Sequence, residues 1–244
     1  MIGNGFEQAW RDRFREFAES SDDDAGIAGW SETGLAARFR HFCILWEGRK
    51  VSGCWLDAGC GAATYARYLS SRGAFAIGMD YSLPSILKAQ KRCTSGVRFI
   101  VADVRQLPLV HGVLDGALCF GVTQALGNSE DAIEALEQCL APGAELWVDG
   151  LNRYCLPNVL KGLQRRLRGQ PTHLRYEGPW ALKDAVRKAG FVDVRLHWMP
   201  IMPRALSMLQ PRIESAPIRF ALRWAPLISV LVSHAFIVTG RRAD

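Results

Sequence analysis

Leu56-Asp57-Ala58-Gly59-Cys60-Gly61-Ala62-Ala63-Thr64 decides how this chain folds. It continues the short apolar run Cys54–Ala58 and leads into helical character over Ala63–Ser71. Glycines there let the backbone turn tightly and let a ligand approach with no Cβ in the way. A helix starting at such a turn aims free N–H groups and a positive dipole end at whatever rests on it. A Gly-x-Gly after a strand fits three readings: a dinucleotide site, an S-adenosylmethionine (SAM) site, or only a tight strand-to-helix turn.

Three neighbouring details separate these readings. The third glycine of a dinucleotide fingerprint would fall at position 64, which is Thr64. Asp57 stands two residues before the first glycine, where it would repel a pyrophosphate but accept the cationic sulfonium and ammonium of SAM. Asp80 ends the run Ala74–Asp80, where a carboxylate can take both hydroxyls of a ribose. Ribose recognition is common to both cofactors. Asp103, in Ala102-Asp103-Val104, follows the strand-like Val97–Ala102 and can accept a hydrogen bond from an adenine amino group. A second acid at the next strand end is foreign to the dinucleotide fingerprint.

The pattern continues on both sides of these motifs. Ser82 caps a helix through Lys91, with Pro84 tolerated in its first turn. Leu114–Phe120 is strand-like. Ser129, Glu130 and Asp131 open a helix with Ile133, Leu136 and Leu140 at helical spacing, and Ala141-Pro142-Gly143 ends it. Ala144–Val148 is strand-like, Trp180–Ala189 a helix closed by Gly190, Phe191–Trp198 a strand and Ala235–Gly240 a final strand. Apolar strands alternating with helices make an α/β fold with a parallel sheet covered on both faces. Its ligand belongs beyond the carboxyl ends of the strands, where strand order reverses.

With these segments in order, the sequence from about Trp55 to Asn152 resembles a class I SAM-dependent methyltransferase of the small-molecule type. The matching segments are Leu56–Gly61, Gly78-Met79-Asp80-Tyr81-Ser82, Ala102-Asp103-Val104, Leu107-Pro108, Phe120-Gly121-Val122-Thr123-Gln124 and Leu140-Ala141-Pro142-Gly143-Ala144. The resemblance implies a Rossmann-like, mostly parallel seven-stranded sheet, with SAM as cofactor and S-adenosylhomocysteine as product. It places Asp57, Ala58, Gly59 and Gly61 toward the methionine part of SAM, Asp80 on ribose and Tyr81 on adenine. Asp103 falls to the adenine amino group, Val104 to a backbone contact, and Phe120 and Gly121 to the wall beside the transferred methyl. Position 125, often histidine in relatives, is Ala125. No Asn-Pro-Pro-Tyr or Asp-Pro-Pro-Tyr motif occurs, which argues against nucleobase or glutamine amines as acceptors.

The flanks carry the rest. Residues 1–50 read as a helical lead-in, with Phe6, Trp10, Phe14 and Phe17 at roughly helical spacing and Trp30 and Arg38 as candidate lid residues. Residues 51–244 form the methyltransferase domain. Within it, 199–233 is an insertion before the last strand, rich in proline and carrying Arg204, Arg212, Arg219 and Arg223. Its prolines oppose one long amphipathic helix. The net charge of +6 divides into −5 over residues 1–150 and +11 over 151–244. A basic end of this kind suits an anionic substrate, a phospholipid surface or nucleic acid; the missing nucleobase motif makes nucleic acid the weakest of these. Seven cysteines without a CxxC pair read as reduced thiols of a cytoplasmic protein, with no metal site. His173 and Tyr176, after the fifth strand, are the candidate catalytic base residues. The expected activity is methyl transfer to a small or lipid-linked acceptor, on oxygen rather than nitrogen. Peripheral membrane contact or a homodimer through 199–233 is a further expectation. The alternatives are a SAM-binding partner subunit without catalysis and an NAD-dependent oxidoreductase, against which Thr64 and Asp57 speak.

Overall fold

The computed structural model describes residues 4–93, 95–170, 174–202 and 208–244. Seven strands form one sheet: β1 (Cys54–Ala58), β2 (Phe75–Asp80), β3 (Val97–Val101), β4 (Leu114–Cys119), β5 (Leu140–Leu151), β6 (Phe191–Met199) and β7 (Ala235–Arg242). Their order is β3-β2-β1-β4-β5-β7-β6. The first five run parallel, and β7 runs antiparallel to both β5 and β6. The helices are α1 (Asn4–Ser20), α2 (Asp24–Ile27), α3 (Glu32–Trp46), α4 (Thr64–Ser71), α5 (Leu83–Arg92), α6 (Glu130–Cys139), α7 (Leu156–Leu167), α8 (Pro179–Lys188), α9 (Gln210–Ile213), α10 (Ala216–Trp224) and α11 (Pro226–Val232).

Both faces of the sheet are covered, as continuous apolar strands require. On one face Ile133 and Leu136 of α6 and Leu182 and Val186 of α8 pack on Leu56, Ala117, Leu146 and Val238. On the other, Phe42 and Trp46 of α3 join Tyr65 and Leu69 of α4 against Trp55, Leu118 and Trp147. Helix α3 is therefore part of the core, while α1 and α2 lie over the carboxyl ends of the strands. Phe42 is fully buried and touches Trp46, Tyr65, Phe120 and Trp147 edge-on or tilted. Aromatic pairs in such geometry add to the stabilisation that area burial gives.

Local chemistry explains most helix starts. The Ser82 hydroxyl accepts from the Ser85 N–H at the head of α5, with Pro84 in the first turn. At α6 the cap differs from the expected one. Asn128 accepts from the Glu130 N–H at 2.9 Å, and the Ser129 hydroxyl instead donates to buried Glu177. Strand β5 is longer than the expected Ala144–Val148. Leu140 already pairs with Leu114 before a register irregularity, and Asp149–Leu151 pair onward with β7.

In the 199–233 insertion the prolines act as helix starters. Pro211, Pro217 and Pro226 each occupy a first turn of α9, α10 or α11, where a missing N–H costs nothing. Among its described residues the insertion holds three short helices, not one long one. Arg40 of α3 donates to Glu214 at 2.9 and 3.1 Å and ties it to the lead-in.

Candidate functional site

Strand order reverses between β1 and β4, and a cleft of about 1040 Å³, counting the space open to solvent, lies beyond the carboxyl ends there. The β1–α4 turn forms its floor. The Gly59 and Cys60 N–H groups donate to the Met79 carbonyl at 2.7 and 2.9 Å, which holds the turn against β2. Gly59 has φ +76°, and a Cβ on it would meet Val122 Cγ2 at 2.2 Å. Any side chain there would strain the backbone and displace Val122.

Of the ten residues assigned to the cofactor, eight line this cleft together: Gly59, Gly61, Asp80, Tyr81, Asp103, Val104, Phe120 and Gly121. Asp57 and Ala58 lie beneath it. The Asp57 carboxylate is fully buried and accepts from the Ala66 N–H of α4 at 3.0 Å. Burial pushes its pKa up to about 7; the Ala66 hydrogen bond opposes this and the Asp80 charge adds to it.

Asp80 sits at the end of β2 with Oδ2 on the Gly61 N–H at 3.0 Å and Oδ1 on the Ser82 N–H at 2.9 Å. Burial raises its pKa, and these backbone donors hold it down. A carboxylate has about four acceptor positions, and with the Tyr81 N–H as a third backbone donor Asp80 still keeps acceptor capacity for a ligand. Tyr81 is half-buried against Phe14, and its hydroxyl donates to the Trp10 and Arg11 carbonyls at 3.4 Å.

Asp103 carries a partner set that the sequence reading missed. It accepts from the Arg105 backbone N–H at 3.0 Å, from the Arg105 guanidinium at 3.0 and 2.8 Å, and from Arg11 of α1. The Arg105 hydrogen bonds bring its pKa down to about 2. Arg105 also donates to Glu7 Oε2 at 2.6 Å, and Glu7 Oε1 accepts from the Gly127 N–H at 2.7 Å. This chain of charges pins α1 over one end of the cleft. At the other side Asp24 of α2 accepts from Thr64 at 2.8 Å and pairs with Arg67 and Arg92. The signal for the first network was present, since Glu7 and Arg11 share a helix face at i,i+4 spacing. Their partners are 92 or more residues away, beyond any local pattern.

The wall beside Phe120 rests on a buried ion pair. Arg38 of α3 donates to Asp149 Oδ2 at 2.7 Å, and Asp149 Oδ1 accepts from the Gly121 N–H at 2.7 Å. The Arg38 guanidinium stacks over the Trp30 ring at 3.8 Å. A Cβ on Gly121, at φ +76°, would strike that ring at 2.6 Å. Burial raises the Asp149 pKa and lowers that of Arg38, and each charge opposes the other's shift. Asp149 is an acid at a strand end, like Asp80, and the same reasoning could have found it.

A second cleft of about 1190 Å³, again counting the space open to solvent, adjoins the first across Trp10 and Trp30, which line both. Its walls include Phe17, Arg38, Gln124, Leu151, Lys161, Leu174, Ile201, Met202 and His234. Burial, then the charges of Arg38 and Lys161, push the His234 pKa down to about 3, so its imidazole is neutral at pH 7. Of the two base candidates, His173 lies outside the described residues. Tyr176 packs with the α3–α4 core cluster and lines neither cleft; burial raises its pKa. Among the described residues no cluster of His, Cys, Asp and Glu could hold a metal ion, and no helix is long and apolar enough to cross a membrane. All seven cysteines are free thiols.

The sheet order, the glycine turn and the strand-end carboxylates define a class, and residues 56–148 match the family model of the methyltransferase domain. Residues 56–148 thus carry a methyltransferase domain, and the sheet around them has the class I SAM-dependent methyltransferase fold. Among curated relatives it is similar to malonyl-acyl-carrier-protein O-methyltransferase of Pseudescherichia vulneris, 29% identical over 62% of this chain and 57% of that protein. It is also similar to 2-heptyl-1-hydroxyquinolin-4(1H)-one methyltransferase of Mycobacteroides abscessus, 32% identical over 48% of this chain and 55% of that one. The match thus spans only about half the length of these relatives. Among solved structures the fold is shared with a Haloferax volcanii methyltransferase in complex with its activator (TM-score 0.68, 16% identity, 95% of this chain and 98% of that chain). It is shared too with the magnesium protoporphyrin IX methyltransferase of Synechocystis PCC 6803 (TM-score 0.60, 15% identity, 98% and 96%).

Proposed function

We propose that this protein is a cytoplasmic methyltransferase that uses SAM to methylate an oxygen of a small or lipid-linked acceptor. The observation that carries the reading is the convergence of eight motif residues, from the ends of four strands, on one cleft. The cleft suits the cofactor chemically. Its glycines cradle a ligand closely, Asp80 keeps acceptor capacity for ribose hydroxyls, and buried Asp57 lies beneath the turn where a pyrophosphate would rest. Bound there, SAM would supply an electrophilic methyl on a sulfonium.

The chain's own residues would position and desolvate. Phe120, Trp30 and the roof from α1 and α2 keep water from the reacting end, and alignment with desolvation supplies much of the catalysis of an in-line displacement. The second cleft would hold the acceptor. Lys161 on its wall favours an acceptor oxygen that arrives ionised, which needs no strong base, whereas the Arg38 charge is already met by Asp149. The neutral imidazole of His234 faces the same space. For a hydroxyl acceptor His173 remains the base candidate read from sequence, whereas Tyr176 lines neither cleft. The name of the Pseudescherichia vulneris relative, an O-methyltransferase, supports oxygen over nitrogen.

Thermal melts test the cofactor. SAM or S-adenosylhomocysteine should raise the melting temperature, because a ligand of the native state alone stabilises it, and NAD should not. Asp80→Ala should lose roughly 1–3 kcal/mol of SAM affinity by calorimetry. Stabilisation by NAD alone, or unchanged SAM affinity in folded Asp80→Ala, would overturn the assignment. Methyl transfer from labelled SAM separates an enzyme from a SAM-binding subunit without activity.

A further inference from the structure

Helix α7 is amphipathic the wrong way round for a packed helix. Leu156, Val159, Leu160, Leu163 and Leu167 follow helical spacing and form one stripe, yet all are exposed, Leu160 at 57% and Leu167 at 79%. The one buried α7 side chain is polar Asn158, whose amide donates to the Asn152 and His234 carbonyls at 2.8 and 3.2 Å. The Asn152 amide in turn donates to the Val230 and Ser233 carbonyls at 2.7 and 2.9 Å. This joins the start of α7 to the end of α11. Helices α10 and α11 extend the surface with Phe220, Trp224, Leu227, Ile228 and Leu231, of which Trp224 is 74% and Leu227 78% exposed. An apolar surface of this kind marks an interaction site.

Charge identifies the partner. No carboxylate occurs between Asp149 and Glu177, a stretch that carries Arg153, Lys161, Arg165, Arg166, Arg168 and Arg175. The segment 199–233 contains one carboxylate, Glu214, and it pairs with Arg40. An apolar face bordered by cations and without anions matches a bilayer with anionic headgroups, into which such helices sink their apolar side chains. Pro157 and Lys161 of α7 also line the second cleft, so its mouth lies beside the stripe.

We infer that α7, α10 and α11 together form a docking surface for an anionic phospholipid bilayer, and that the second cleft takes its acceptor, an amphiphile, directly from that bilayer. The docking surface stands on exposure and charge alone; the delivery of an acceptor rests on the proposed methyltransferase reading.

Vesicle sedimentation of the full chain tests the surface. The protein should pellet with vesicles of phosphatidylcholine and phosphatidylglycerol, roughly ten-fold better than with phosphatidylcholine alone, and lose that preference in high salt. Leu160→Glu with Trp224→Glu should abolish pelleting, and Arg166→Gln with Arg168→Gln should erase only the preference for anionic lipid. Both variants should keep the thermal shift with SAM, which shows that they fold and leaves the cofactor reading judged separately. Failure of the parent chain to pellet, or pelleting unchanged in Leu160→Glu/Trp224→Glu, would overturn the inference. So would a dimer in sedimentation velocity that the same variant dissolves, since a second copy would then cover the face.

Discussion

Asp57 and Asp80 end neighbouring strands and yet do different work. Asp80 opens to the cleft, whereas Asp57 is sealed under the turn with the Ala66 N–H as its partner. An acid raised to about 7 in the folded state binds its proton more tightly there than in the unfolded chain, where the ordinary value is 3.8. Its contribution to stability is complete below the unfolded value and is lost as pH rises toward about 7. The slope of that loss is at most about 1.4 kcal/mol per pH unit. Asp57→Asn keeps an acceptor for the Ala66 N–H and removes the titration. The variant should therefore gain on the parent between about pH 4 and pH 7 and show no further change above. Urea denaturation across that range measures it, and parallel pH profiles would mean that Asp57 is ionised throughout.

At the scale of elements, α1 is held to the sheet by side chains rather than by a shared backbone ladder. Arg11 reaches Asp103, and Glu7 bridges Arg105 and the Gly127 N–H. Trp10 and Ala18 of α1 are buried as well, so a cover that opened for the cofactor would break these charge-assisted contacts and part of that packing. Glu7→Ala should leave the melting temperature of the ligand-free protein little changed. It should weaken SAM binding by about 1–2 kcal/mol, because removing a charged partner frees the end of the cover. Limited proteolysis within α1 should become faster, and S-adenosylhomocysteine should protect it less than in the parent. A variant with parental affinity and parental cleavage would show that α1 is simply packed structure.

Across the whole molecule, the Arg38–Asp149 pair binds the lead-in to the central sheet and to the turn at Gly121. Both side chains are buried, with 7% and 4% exposure. Removing one partner strands the other charge, which typically costs about 3–5 kcal/mol. Arg38→Met should be destabilised to that extent, and adding Asp149→Asn should recover most of the loss. Chemical denaturation of the single and double variants decides it, and equal destabilisation in both would mean that the guanidinium matters only as packing on Trp30.

Much of this protein is legible in one dimension. The strand-end acids, the Gly59–Gly61 turn and the alternation of strands with helices are local patterns, and local sterics and hydrophobic period dictate them. They determined the fold class and eight residues of one cleft. Other features depend on partners far apart in the chain. Arg11 and Asp103 are separated by 92 positions, and Arg38 and Asp149 by 111. No spacing rule reaches that far, so the charge network of α1, the buried ion pair and the sealed position of Asp57 are tertiary facts. The same holds for α7. Its helical spacing lies open in the sequence. A stripe of leucines reads alike whether it meets a core or a solvent face, and only packing against α11 through Asn152 and Asn158 turns it outward. Local chemistry thus chose the elements and their ligand-facing ends, whereas the burial of charge and the exposure of apolar surface were decided when those elements came together.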